Sequence, residues 1–112
     1  MPLDHFRGLG PKTIGAGETV DFTWDSDGDY IIHRIFIIEA SGRTLSKSTV
    51  TIMIDSVAVT KDSVPCSVFG PDTLVSPVLD IPLGKGRKFS ASIKNNEGVD
   101  IEVYVVLELH KA

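Results

Sequence analysis

The sequence predicts an all-β protein: a single antiparallel β-sandwich of about seven or eight strands behind an extended N-terminal arm. Three observations predict it. Apolar side chains recur with a period of two from Glu18 onward, and clusters of Gly, Pro, Asn and Asp break the chain at short intervals. No stretch of useful length carries the helical period. The third is size: 112 residues, 42% of them hydrophobic, amount to one domain with material for one core. The expected division is an arm at residues 1–17 and a sandwich at 18–112.

Residues 1–17 contain Pro2, Gly8, Gly10, Pro11, Gly15 and Gly17, with only Leu3, Phe6, Leu9 and Ile14 as apolar anchors. Neither period persists there, so the segment reads either as a frayed terminus or as an extended arm whose four apolar anchors could lie across a neighbouring subunit. Deleting residues 1–14 is then expected to weaken assembly and spare the β content. In Thr19–Trp24, Val20, Phe22 and Trp24 share one face of a strand. Asp25–Asp29 is a turn. Tyr30–Ala40, dense in Ile and aromatic residues, is a central strand with apolar side chains on both faces. Thr49–Ile54 and Val57–Thr60 flank Asp55-Ser56 as a tight hairpin. Lys61–Pro77, with Pro65, Gly70, Pro71 and Pro77, is a long connection holding one short strand at Cys66–Phe69. Val78–Ile81, between two prolines, suits a sheet edge. Arg87–Lys94 and Val99–Leu109 close the fold, joined by the turn Asn95-Asn96-Glu97-Gly98.

Composition narrows the function. Lys and Arg total 11 against 15 Asp and Glu, a net charge of -4, which disfavours nucleic acid as a partner. Tyr30–Ala40 is broken by His33, Arg34 and Glu39 and falls far short of the roughly 20 apolar residues of a membrane span. Cys66 is the single cysteine, so no intrachain disulfide forms. The opening MPLDHFRGLGPKTIGAGE lacks the apolar core of a signal peptide. Synthesis in a cytoplasm is expected.

Candidate chemistry is sparse. Asp25, Asp27 and Asp29 alternate around Gly28 and offer hard oxygen ligands to calcium, but they depart from the EF-hand pattern, and the favoured reading is an Asx-rich turn joining two strands. His5, His33 and His110 lie in head, middle and tail with no metal-ligand spacing, and His33 reads as a histidine of a sheet face. No serine lies in a Gly-x-Ser-x-Gly elbow, and Cys66 after Pro65 has no activating signature. Lys85, Arg87 and Lys88 form a basic turn suited to an anion or to discouraging edge pairing. No catalytic residue, cofactor or metal is assigned.

The Gly/Pro-rich head, the glycine-led strand Gly15-Ala16-Gly17-Glu18-Thr19-Val20-Asp21-Phe22 and the run Leu79-Asp80-Ile81-Pro82-Leu83-Gly84-Lys85-Gly86 resemble small viral β-sandwich proteins. The Asn95–Gly98 turn before a long last strand adds to the likeness. These are jelly-roll minor capsid, decoration or spike-base proteins of bacterial and archaeal viruses. The resemblance implies a jelly-roll-like fold, a virion location, a homo-oligomer (trimer or pentamer) that binds other particle proteins, and no catalysis. The alternative is a monomeric carbohydrate- or ligand-binding module, calcium-dependent if the aspartate turn holds a metal.

Overall fold

The computed structural model describes residues 4–60, 62–70 and 76–111. Among them, in chain order, are β1 (Asp4–Ile14), β2 (Thr19–Asp25), β3 (Tyr30–Glu39), β4 (Thr49–Ile54), β5 (Val57–Ala58), β6 (Val64–Pro65), β7 (Ile81–Leu83), β8 (Lys88–Lys94) and β9 (Ile101–Lys111). A 3-10 turn spans Cys66–Val68. The strands make two antiparallel sheets packed face to face. The first has the order β1-β9-β3-β7; the second has the order β2-β8-β4-β5, with β6 also on β4.

Alternation builds the core. On the second sheet the inward side chains form cross-strand rows: Val20–Ile93–Val50, Phe22–Ala91–Ile52 and Trp24–Phe89–Ile54. Ala91 is small where Phe22 is large, so the ring has room between its neighbours. Leu9–Val105–Ile37 and Leu107–Ile35 face them from the first sheet, and all are buried.

The N-terminal segment is extended, but residues 4–14 are a strand of the chain's own first sheet. They pair with β9 from Asp4 opposite His110 to Ile14 opposite Ile101. The register shifts between Leu9 and Lys12, where β1 carries one residue more than β9. Leu9 and Ile14, five positions apart, thereby both turn inward and are buried. Gly10 sits in that bulge at φ +102, and a Cβ there would lie 2.9 Å from the carbonyl oxygen of Val103. Only glycine fits. Arg7 and Lys12 reach from β1 across to β2 of the second sheet, their cations over the rings of Trp24 (5.4 Å) and Phe22 (5.3 Å). Removing residues 1–14 takes away an edge strand and two core side chains, so that deletion no longer isolates a contribution to assembly.

Other boundaries move for local reasons. Asp80 has φ +49, which turns the chain and delays the edge strand to Ile81–Leu83 instead of Val78–Ile81. Cys66–Val68 winds into a 3-10 turn in place of the expected short strand. The Asp55-Ser56 hairpin is present, with both residues at positive φ (50 and 69), as a two-residue turn of the favoured hand requires. Asp55 is also held from outside its own turn: its carboxylate accepts the Lys88 N–H at 2.8 Å and pairs with Arg87 at 2.8 Å.

Candidate functional site

The two outer faces of the sandwich differ in chemistry. On the second sheet the outward positions include Asp21, Thr23, Thr51, Ser90, Ser92 and Lys94, and Ser92 donates to Asp21 across the strands. This is an ordinary solvated face. On the first sheet the outward positions of β9 are Glu102, Tyr104, Val106, Glu108 and His110, and β3 contributes Phe36 and Ile38 beside the middle of that row. Phe6 of β1 lies opposite Glu108 and is 66% exposed, while Gly8 opposite Val106 adds no side chain. Phe36 is buried yet stands outside the main core cluster. The first sheet thus has an apolar patch on the side that faces away from its core.

A polar cluster closes one end of that face, and a bulge in β3 creates it. Ile32 opposes Leu109 and Arg34 opposes Glu108, so His33 is one residue more than the ladder needs. Ile32 and Ile35 consequently both point inward, three positions apart, and His33 and Arg34 both join Glu108 outside. His33 and His110 are stacked, with ring centroids 4.4 Å apart and planes at 23°. No spacing in the sequence joins these two histidines; the pairing of β3 with β9 brings them together. His33 Nδ1 lies 2.6 Å from Asp80 Oδ1. An ionised carboxylate only accepts, so Nδ1 carries the proton and Nε2 is left facing Glu108 Oε2 at 3.9 Å. Arg34 Nη1 reaches the same oxygen at 3.4 Å, and Arg34 Nε is buried without a hydrogen-bond partner.

The residues singled out from the sequence fare differently. Leu3 lies outside the described residues. Leu9 and Ile14 are spent on the chain's own core, which leaves Phe6 as the arm residue presented outward. In the aspartate turn the side chains have separate partners: Asp27 accepts the Tyr30 hydroxyl at 2.9 Å and Asp29 accepts the Lys85 N–H at 2.9 Å. The Asp27 hydrogen bond, aided by desolvation, raises the Tyr30 phenol above its ordinary value. In the basic turn, Arg87 is paired with Asp55, and the Lys88 N–H, then Arg87, hold the Asp55 carboxyl below its ordinary range. Cys66 is buried, and burial, aided by Glu97, pushes its thiol up to about 12. It is protonated at neutral pH and a poor nucleophile.

Cys66 also lines an apolar groove of about 400 Å³ with Ile37, Ile38 and Leu45. Glu39 lies at its rim. Burial alone would raise that carboxyl, but hydrogen bonds from the Ser41 hydroxyl and the backbone N–H groups of Arg43, Glu102 and Ser41 outweigh it and lower the value. A lowered folded value stabilises the fold above the unfolded carboxyl range, about pH 4, and the contribution is lost as pH falls through the folded value. Glu39→Gln is therefore expected to cost about 1–2 kcal/mol at neutral pH in urea melts. That gap should close in acid; a gap constant with pH would show that the charge is not what holds the turn.

Glu108, Asp80 and Arg34 were not among the residues drawn from the sequence. One signal was available: Glu108 and His110 stand two apart on a strand, hence on one face. No protein-family model matches the chain, and neither do the curated proteins or the solved structures compared with it. The chain is an all-β protein of two packed antiparallel sheets.

Proposed function

We propose that this chain is a jelly-roll structural protein that assembles with further copies of itself, and with other particle proteins, through the outer face of its first sheet. The particle implied by the resemblance is a virion, and the role is non-catalytic. Strand pairing supports the jelly-roll reading. With the two-residue β6 set aside, the eight remaining strands pair first with last and so inward: β1–β9, β2–β8, β3–β7 and β4–β5. Successive pairs alternate between the two sheets. That is the connectivity of one long hairpin rolled over itself, the arrangement of jelly rolls.

The observation that carries the assembly reading is the contrast between the outer faces. One is built of Ser, Thr, Asp and Lys around a single Met53; the other carries the exposed Phe6 with half-buried Ile38, Tyr104 and Val106. A contiguous apolar face on a small domain marks a contact surface. A copy of the same chain is the occupant of matching chemistry, because it brings an equally apolar face. Sedimentation equilibrium over a range of concentrations tests this. A discrete oligomer, trimer or pentamer, is expected, and Val106→Glu should convert it to monomer while the far-UV CD spectrum is kept. A monomer at every concentration, or an oligomer indifferent to Val106→Glu, removes the reading.

A further inference from the structure

We propose that His33, Glu108 and His110 form a binding site for a divalent transition-metal ion of the zinc class, with Asp80 orienting His33. Two imidazoles and a carboxylate are the donor set that such ions take in preference to calcium or magnesium. One ligand atom from each of the three residues lies within 4.8 Å of the others. Metal–ligand bonds of 2.0–2.1 Å in a tetrahedron place neighbouring donors about 3.3 Å apart. The separation of 3.9 Å between His33 Nε2 and Glu108 Oε2 is therefore within a small side-chain movement of a closed site. The stacked imidazoles must turn toward each other for both to aim at one ion.

Three further features fit. The ligands stand on β3 and β9, hydrogen-bonded neighbours in the interior of the sheet, so their backbones are fixed relative to each other. The Asp80 carboxylate on Nδ1 of His33 fixes the tautomer that leaves Nε2 for a metal, the usual outer partner of a metal-bound histidine. Glu108 is buried, and its Arg34 contact is single and long at 3.4 Å, far from a bidentate pair. Its carboxylate retains acceptor capacity that a cation would use. Three protein ligands leave a fourth position for water. Arg34 opposes the ion by charge, so the site binds more weakly than its donors alone would.

The experiment is titration of the chelator-stripped protein with Zn²⁺ by calorimetry and with Co²⁺ by visible absorption, near neutral pH. One saturable site per chain is expected. His33→Ala and His110→Ala should each abolish it, with thermal melts in EDTA checking that the variants remain folded. Asp80→Asn, at an exposed position, should weaken binding about ten-fold or more. Arg34→Met should tighten it about two- to five-fold. Absence of saturable binding, or binding that survives both histidine substitutions, overturns the proposal. The readout is independent of assembly, since a monomer and an oligomer both register the ion.

Discussion

Phe22→Ala is expected to cost about 3–5 kcal/mol, a large share of the roughly 5–15 kcal/mol that holds a domain of this kind together. Phe22 is fully buried in the middle row of the second sheet, with Ala91 and Ile52 across the ladder. Ala91, directly opposite on β8, is too small to fill the space, and Phe89 and Ile93 on either side are already packed in their own rows, so the void persists. The loss also strips the Lys12 cation of the ring beneath it and removes the contact next to Gly10. The edge strand β1 should therefore loosen together with the core. Urea melts followed by CD would read the total, and amide exchange on β1 would read the local part. Val57→Ala is the comparison: Val57 is 69% exposed at the hairpin tip, and its truncation should stay within about 0.5 kcal/mol. Equal effects from the two substitutions would mean that the Phe22 row is not the packed centre of the fold.

The same geometry explains what was and was not legible in the sequence. Strands that obey strict alternation were readable to within a residue or two: β2, β4, β8, and the start of β9 with Ile101, Val103, Val105 and Leu107 inward. The Asp55-Ser56 hairpin was readable from two polar residues between β-rich runs. β1 was not, because its bulge reverses the phase of the alternation halfway along. Leu9 and Ile14 count as opposite faces on paper and share one face in the sheet. Glycine and proline there looked like the grammar of a loose arm, whereas Gly10 is demanded by a close approach to β9.

β3 hides its site for the same reason. The density of Ile and Phe announced a covered central strand, and it lies between β9 and β7. Its bulge, however, decides that His33 and Arg34 both accompany Glu108, and no periodicity written for a regular strand would place them so. His110 then arrives from the far end of the chain, through a pairing of β3 with β9 that only the tertiary fold specifies. A contact between residues 77 positions apart has no local signature; what the sequence does contain is the pair Glu108 and His110 on alternate positions, awaiting partners.

Asn95 is a polar counterpart of Phe22, and Asn95→Ala is expected to cost about 2–4 kcal/mol. Its side chain is fully buried and nearly saturated: Nδ2 donates to the carbonyls of Ile14 (2.9 Å) and Val99 (2.7 Å), and Oδ1 accepts the Glu97 N–H at 2.8 Å. Its backbone joins in, accepting from Gly17 N–H and donating to the Glu18 carbonyl. One residue thus ties the end of β1, the start of β2 and the turn between β8 and β9. Alanine leaves carbonyl acceptors without their donor in a place water reaches poorly, and that desolvation cost is what makes the loss large. Asn95→Asp separates the donor's role from packing. It keeps the shape but turns an oxygen toward two carbonyl oxygens, so the new carboxyl takes up a proton more readily when folded than when unfolded. A raised folded value leaves stability intact below the unfolded range, about pH 4, and removes it as pH rises through the folded value. The deficit of Asn95→Asp relative to the native chain should therefore widen from about pH 4 to about pH 7, while that of Asn95→Ala stays nearly level. Parallel deficits across that range would show that the Nδ2 donor is not what fastens β1 to the turn.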